Sequence, residues 1–200
     1  NGEQINFSRL VILNDTAAFI ITELQNQSQA ITVESLAQCL VDQYEVGYDE
    51  ALSALETLTG HDVYGQQAPY YIADIHLQQK QYDEALRTVE AFLTQYPEAE
   101  QTLEMKRIAG EAAYGMEQYA QAATMLDEYV QGVEAPQRNA LYKLGISQLK
   151  QGVCTNAALN LTRSATERDA LAQNAYLHSG LAYVQLLDMV KARMAFEQAS

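Results

Sequence analysis

The side chains of this 200-residue chain that could do chemistry are few, and their spacing does not suit a reaction or a metal. His61, His76 and His178 are far apart, and none belongs to an H-E-x-x-H or similar ligand-spaced group. Cys39 and Cys154 are equally isolated, which predicts small buried side chains and neither a disulfide nor a zinc site. The sequence contains no glycine-rich phosphate loop and no G-x-S-x-G nucleophile turn. Without a combined nucleophile, base and oxyanion donor, we predict that the chain is not an enzyme and uses no cofactor or metal.

Charged residues narrow the functional classes further. The neighbouring acids Asp83-Glu84 and Asp127-Glu128 fall near the start of, or within, predicted helices, where carboxylates suit the helix dipole or a solvated face. The formal net charge of −14 disfavours nucleic-acid binding, which needs a basic face, and docking on an anionic membrane. No apolar run approaches the roughly 18 residues of a spanning helix, so direct membrane insertion is not expected.

A repeated pattern indicates which elements position the remaining residues. Four segments share a small residue, an alanine twelve positions later, and a large apolar residue four positions beyond that. The alanines are separated by 37, 35 and 35 residues. The three columns are Ala73, Gly110, Gly145 and Gly180; then Ala85, Ala122, Ala157 and Ala192; then Val89, Leu126, Leu161 and Phe196. Such a period is typical of a stacked-hairpin architecture.

Helix packing explains these columns physically. A small residue in the first helix of a pair lets the second helix approach closely, and the alanine completes that contact. The bulky residue one turn later is predicted to fill the space against the next repeat. Because one pair alone would leave an apolar face open, the stack is the stable unit. The predicted fold is therefore mainly all-α, a solenoid of helical hairpins.

These columns resemble the tetratricopeptide repeat (TPR), a helical hairpin of 34 residues. The stretches QQKQYDEAL, GMEQYAQAA, KQGVCTNAA and LLDMVKARMAF look like the turn and second helix of successive repeats, and Pro97 stands where the family favours a helix-ending proline. A weaker fifth match is GYDEALSAL, in which Ala51 lies 34 residues before Ala85 and Leu55 falls in the bulky column. The resemblance implies four clear repeats and one partial repeat, with a solenoid domain over residues 47–200.

The same repeats look similar to those of long bacterial envelope-associated TPR proteins, which implies a soluble bacterial protein. The N-terminus has no basic segment followed by an apolar stretch, and this leaves cytoplasm and periplasm open as the compartment. The last repeat reaches Ser200 without a polar capping helix. We therefore expect that further repeats follow, or that the uncapped C-terminal repeat self-associates with a neighbouring chain.

Residues 1–46 differ from the repeats. Short β-compatible runs precede an N-cap at Asn14–Thr16 and two helix-like segments. This region resembles the PqqD-like family of small α+β winged-helix peptide chaperones over residues 5–46. The matching residues are Leu13, Asn14, Ala17, Ala18, Ile20, Leu24, Thr32, Val33, Glu34, Leu36, Leu40 and Tyr44. The β-hairpin on which that family docks peptides has little room here, and a divergent cap of the solenoid is the alternative. Residues 47–58 fit both families and are assigned to the repeats by the 34-residue spacing.

The TPR resemblance implies a peptide-binding inner face built from the first helix of each repeat. Tyr70, Tyr114 and Tyr142 would form a ladder of amphipathic rings that holds an extended or helical segment, or would simply pack between first helices. The lysines and asparagines with which chaperone-binding TPR domains clamp a C-terminal carboxylate are absent from their positions. The predicted binding residues are Gln67, Tyr70, Asp74, Arg107, Glu111, Tyr114, Asn139, Tyr142, Lys143, Asn174 and His178.

The predicted function is that of a non-catalytic scaffold that binds a protein or peptide partner on this inner face. The alternative is a PqqD-like chaperone, in which residues 1–46 present a precursor peptide to a maturation enzyme.

Overall fold

A computed structural model of the protein describes residues 67–200 together with 52–53 and 55–56. Residues 67–200 form eight α-helices and no strand. The helices are α1 (Ala68–Gln78), α2 (Tyr82–Gln95), α3 (Thr102–Gly115), α4 (Tyr119–Gly132), α5 (Arg138–Lys150), α6 (Cys154–Ser164), α7 (Ala170–Gln185) and α8 (Met189–Gln198). Within this range the all-α prediction is confirmed, whereas the predicted α+β segment over 1–46 lies outside the described residues.

The helices are arranged as four successive hairpins, α1/α2, α3/α4, α5/α6 and α7/α8. Each helix packs against its neighbours in sequence, and each first helix also packs against the next first helix. The second helices of residues 67–200 make no comparable contact with one another. The first helices α1, α3, α5 and α7 therefore form a continuous layer, which we call the first-helix row. Farther upstream, Leu55 is helical and buried, and it stands in the bulky column of the weak fifth repeat.

Glycine determines how closely the two helices of a hairpin approach. A Cβ atom added to Gly110 would lie 2.6 Å from Cγ of Leu126, and one added to Gly145 would lie 2.6 Å from Cγ of Leu161. At Gly180 the same atom would lie 2.4 Å from Cε1 of Phe196. Each glycine is thus covered by the bulky residue of its own second helix, at a distance that leaves no room for a side chain. The predicted small and bulky columns are confirmed, because in these hairpins the small residue of the first helix contacts the bulky residue of the second.

The bulky residues also join one hairpin to the next. Leu126 belongs to a buried cluster with Leu141 and Leu144 of α5, and Val89 belongs to one with Met105 and Ile108 of α3. A single hairpin would leave these apolar surfaces in water, so the stack stabilises every hairpin within it.

The turn inside each hairpin has the same geometry, which the sequence analysis did not detect. The second residue after the end of the first helix has a positive φ in all four turns: Lys80, Glu117, Gly152 and Leu187, with φ of 60°, 59°, 76° and 60°. The next amide donates back to a carbonyl five residues earlier, for example from Gln81 to His76 at 2.8 Å. This is the Schellman arrangement, which prefers glycine at the left-handed position. Only one of the four turns has glycine there.

Several single-residue predictions can be compared with the helices. Asp83 and Glu84 occupy the first turn of α2, where their charge favours the helix dipole. Pro97 follows the end of α2 at Gln95, as predicted for a helix-ending proline. Cys154 is buried at the start of α6 as predicted, whereas Cys39 and His61 lie outside the described residues.

No helix in the described part of the chain is both long enough and apolar enough to cross a membrane.

Candidate functional site

The predicted binding residues lie along the first-helix row. Gln67 immediately precedes α1, and the other ten lie on the four first helices. Contacts join them from helix to helix: Arg107 reaches Asp74 between α3 and α1, Lys143 reaches Glu111 between α5 and α3, and the rings of Tyr142 and His178 meet between α5 and α7. The predicted residues therefore follow one layer of helices, and these contacts link six of them from helix to helix; some members are buried and others accessible.

A buried network of ion pairs connects the first three helices of the row. The guanidinium of Arg107 donates to Asp74 at 3.2 Å, to Glu104 at 2.7 Å and to Glu111 at 3.1 Å. The ammonium of Lys143 pairs with the second oxygen of Glu111. We call these five residues the ion-pair ladder. The side chains of Arg107, Asp74 and Glu111 are only 8%, 9% and 6% exposed, so their charges are satisfied mainly by one another.

Electrostatics keep the central cation of this ladder charged. Burial by itself lowers the pKa of Arg107, since desolvation penalises the charged form. The attraction of Glu111 and Glu104 and the hydrogen bond to Glu104 outweigh this effect, and the net shift of the pKa is upward. Arg107 therefore holds α1 and α3 together as a permanent cation, with its donors directed at carboxylates of the same chain.

Tyr70 lies next to the ladder on α1. Burial of its ring raises the pKa of Tyr70 to about 12, although neighbouring Arg107 lowers it. The ring packs edge-on against Tyr71, with centroids 5.1 Å apart. Tyr70 remains half-buried, so part of its ring is available to a ligand beside the ladder.

An aromatic strip continues from this point along the row. We use that name for Tyr114, Tyr142 and His178, which lie on α3, α5 and α7 and are all half-buried. The rings of Tyr142 and His178 meet edge to face at 6.0 Å. The Nδ1–H of His178 donates to the carbonyl oxygen of Asn174 at 2.7 Å, because a carbonyl can only accept. This bond leaves Nε2 as the ring nitrogen that has no partner in the same helix.

Burial also acts on the phenols of the strip. The pKa values of Tyr114 and Tyr142 are both raised, mainly through desolvation, and Tyr142 adds to the shift at Tyr114. Both hydroxyls therefore stay protonated, and each can donate one hydrogen bond as well as accept others. Exposed Asn139 and Asn174 lie on the same two helices, α5 and α7. The strip combines apolar ring surface with neutral hydrogen-bonding groups, a combination suited to peptide backbone.

The eleven predicted residues thus divide into two sets. Asp74, Arg107 and Glu111 are buried, and Arg107 donates to both carboxylates. The accessible or half-buried members are Gln67, Tyr70, Tyr114, Asn139, Tyr142, Lys143, Asn174 and His178. Sequence reasoning selected the buried charges singly and missed their mutual pairing. The available signal was their spacing: Asp74 and Arg107 are 33 residues apart, and Glu111 and Lys143 are 32 apart, so each pair is offset by about one repeat.

The described residues do not gather three or more histidine, cysteine, aspartate or glutamate side chains into a group that could hold a metal ion. His76 instead contacts Gln81 at 2.7 Å across the first hairpin turn. The arrangement around the row is one of contact surfaces and ion pairs, which can bind and align but provides no nucleophile beside a base.

Comparison with known proteins agrees with this architecture. A family profile described as tetratricopeptide repeat matches residues 47–100. No curated protein matches the sequence.

Solved structures similar to this chain include two of the protein MamA and one of YrrB. A crystal structure of MamA is 17% identical, covers 86% of this chain and 94% of its own, and superposes with a TM-score of 0.64. The structure of MamA residues 41 to the end from Desulfovibrio magneticus RS-1 is 17% identical, covers 84% of this chain and 90% of its own, and has a TM-score of 0.63. YrrB, described as a TPR protein with an unusual peptide-binding site, is 21% identical, covers 92% of this chain and 91% of its own, and has a TM-score of 0.65. At these identities the likeness concerns the fold. Residues 67–200 therefore form a TPR-type array of helical hairpins.

Proposed function

We propose that this chain is a non-catalytic scaffold that captures a segment of another polypeptide on the first-helix row. The observation that carries the proposal is the aromatic strip, in which Tyr114, Tyr142 and His178 extend half-exposed across three consecutive first helices. Partly exposed aromatic rings on a rigid support are the side chains that most often dominate binding energy at interfaces. The strip offers one such anchor on each of these three helices.

The ion-pair ladder has a supporting role in this proposal. Arg107 and Glu111 are turned toward carboxylates and cations of their own chain, so they are poorly placed to meet a ligand's charges. They connect α1 to α3 and α3 to α5, and this connection fixes how the rings on neighbouring helices are aligned. Contact with the ligand is then assigned to the eight accessible members of the predicted site.

The chemistry of the surface indicates the kind of segment that fits. Rings and neutral amides recognise apolar side chains and backbone groups. The formal charge of −14 attracts a segment that also carries lysine or arginine, by raising the rate of encounter. We therefore propose an extended or helical segment with apolar anchors and flanking basic residues. The peptide-binding site named for YrrB, a protein of similar fold, supports peptide capture as the function of this array.

Selection from a display library of short random peptides, followed by calorimetric titration of one selected peptide, tests this function. Tyr142→Ala should weaken binding by about 30-fold, because an aromatic hot spot contributes about 2 kcal/mol. The matched control is Tyr183→Ala, which removes a half-buried tyrosine of α7 that packs beside the buried cluster of Cys154 and Ala158. Equal affinities for the original chain and Tyr142→Ala, with helical content unchanged, would refute this placement of the site.

The proposed binding unit is the solenoid domain of residues 47–200. Deleting residues 1–46 should leave the affinity for the selected peptide unchanged. The PqqD-like alternative, in which residues 1–46 hold the peptide, makes the opposite prediction. Loss of binding in the shortened chain, with the circular dichroism of a folded helical protein, would favour that alternative over the first-helix row.

A further inference from the structure

The contact between the third and fourth hairpins differs from the two contacts before it in the size of its buried side chains. We call the three hairpin-to-hairpin contacts the first, second and third joint, in chain order. Three residues after the bulky column stand Phe92 at the first joint, Tyr129 at the second and Ser164 at the third, and all three are at most 2% exposed. The two rings belong to the buried clusters that include α3 and α5, respectively. Serine fills much less space, so the third joint lacks the ring that anchors the other two.

The helix on the far side of the third joint supplies no large buried side chain either. The buried residues of α7 are all alanine, serine or glycine: Ala172, Ala175, Ser179, Gly180 and Ala182. One repeat before Ser179 stands buried Leu144, and two repeats before Ala175 stands buried Met105. The stabilisation from burial grows with the apolar area removed from water. The third joint therefore contributes less to stability than the first two.

Hydrogen bonds take the place of the missing apolar contacts between α6 and α7. The hydroxyls of Thr162 and Ser179 meet at 3.3 Å, and Sγ of Cys154 donates to Oε1 of Gln185 at 2.9 Å. The net gain from such bonds is small, because in the separated state each partner bonds to water. These contacts specify how the helices fit together but add little resistance to their separation.

An ion pair at the edge of the third joint is also open to water. Arg138 of α5 donates to both carboxylate oxygens of Asp169, at 2.9 and 3.0 Å, and to the carbonyl oxygen of Ser164 at 2.9 Å. Asp169 is the N-cap of α7, and its side chain is 41% exposed. Because solvent screens an exposed pair, this contact is weaker than the buried ion-pair ladder that connects α1, α3 and α5.

We propose that the array opens at the third joint before it unfolds elsewhere, and that α7 and α8 leave α6 together as one unit. A detached hairpin has no neighbour to cover its apolar face, so its two helices lose their structure together. Tyr142 and His178, whose rings meet at 6.0 Å, lie on opposite sides of this joint. Opening therefore separates two of the three members of the aromatic strip. The opening itself does not depend on the proposed peptide capture.

Cys154 is a natural reporter of this opening, since it is 7% exposed and contacts α7 through Gln185. The test uses the full 200-residue chain with Cys39→Ser, which leaves Cys154 as its only thiol. Its reaction with dithionitrobenzoate is followed at urea concentrations below the unfolding transition. The rate should rise with urea at less than about half the slope of global unfolding, because only part of the chain becomes exposed. In the absence of urea the rate should exceed the limit set by global unfolding at least about tenfold.

A thiol at the second joint is the matched control. Ala140→Cys, in a chain that also carries Cys39→Ser and Cys154→Ala, replaces a 0% exposed alanine of α5. This thiol should react only as fast as global unfolding of the same variant allows, with the full urea slope. If Cys154 behaved in the same way as this control, the proposal would be overturned.

Hydrogen exchange read by mass spectrometry gives an independent result. Amides of α7 and α8 should exchange together, with one urea dependence, ahead of the amides of α3, α4 and α5. Arg138→Met should accelerate exchange in α7 and α8 about tenfold and leave α3 unchanged, because it removes the bonds to Asp169. The proposal is overturned if α7 is as protected as α3, if α8 exchanges without α7, or if Arg138→Met leaves exchange unchanged. None of these outcomes decides whether the aromatic strip binds a peptide.

Discussion

Replacing Arg107 by methionine probes the ion-pair ladder at its centre. Methionine has a similar length and fills much of the same space, so the change removes the charge with little loss of volume. In the present structure the guanidinium binds Asp74, Glu104 and Glu111, and its own side chain is only 8% exposed. In the variant the carboxylate of Asp74 loses this cation, and Glu111 keeps only Lys143.

The expected cost follows from leaving charges buried without their partner. Breaking a buried ion pair by removing one member destabilises a protein by about 3–5 kcal/mol. For a chain of this length each kcal/mol lowers the melting temperature by about 2–4 °C. Arg107→Met should therefore lower Tm by about 6–20 °C, and it should also lower the urea midpoint with an unchanged m value.

A surface ion pair in the same array supplies the control. Arg87→Met breaks the pair with Glu84 on α2, where the arginine side chain is 71% exposed. Solvent screens that pair, so the expected change in the free energy of unfolding is below about 0.5 kcal/mol. If Arg107→Met cost less than about 1 kcal/mol, the claim that the ladder holds the first helices together would be wrong.

A double-mutant cycle separates charge from packing in this result. Glu111→Gln and Arg107→Met each leave a buried charge with fewer opposite charges beside it, whereas the double variant removes both charges of that pair. The combined cost should therefore be smaller than the sum of the single costs by about 0.5–3 kcal/mol. Strict additivity would indicate that Arg107 acts through its bulk alone.

Three further predictions concern other parts of the array. Gly145→Ala should lower the free energy of unfolding by about 1–3 kcal/mol, because the new Cβ would lie 2.6 Å from Cγ of Leu161. Adding Leu161→Val should recover part of this loss, since the first hairpin pairs an alanine, Ala73, with a valine, Val89. Urea unfolding measures both variants, and no recovery in the double variant would contradict the contact. Leu187→Gly should raise the free energy of unfolding by about 1 kcal/mol, and Gly152→Ala should lower it by about as much, because both positions have a positive φ that favours glycine. No atom lies within 4 Å of a Cβ added at Gly152, so a steric clash cannot explain the second change. If both variants changed the free energy of unfolding in the same direction, backbone strain would not be the cause. The pKa of Tyr70 is about 12 in the folded chain, against an ordinary value of 10.0, so its contribution to stability is complete below pH 10 and is lost as the pH rises through about 12. In that window the free energy of unfolding of Tyr70→Phe should fall less steeply with pH than that of the original chain. The same slope in both proteins would show that Tyr70 ionises normally.

The hairpin core was predictable from sequence because it depends on contacts that recur at a fixed period. Gly110 with Leu126 and Gly145 with Leu161 repeat the same pair, and their recurrence distinguishes them from chance. The left-handed turn residues escaped detection for the opposite reason. Lys80, Glu117 and Leu187 have the conformation of a C-terminal glycine without its residue type, so no compositional signal marks them.

The candidate site was predictable as a strip and unpredictable in its chemistry. The repeat assigns Asp74, Arg107, Glu111 and Lys143 to first helices, but their pairing depends on the offset between neighbouring helices, which the repeat pattern does not specify. Once paired, these residues cease to be free charges for a ligand. The N-terminal prediction over residues 1–46 had no repeating pattern to support it, and it falls outside the described residues.

Site-specific photo-crosslinking tests the central claim most directly. A benzophenone side chain would replace Tyr142 on the first-helix row, or Leu159 on α6 as the control, and each variant would be irradiated with a peptide selected by the original chain. The account predicts a peptide adduct by mass spectrometry at position 142 and none at position 159. An adduct at position 159 alone would contradict the proposal that the first-helix row holds the ligand.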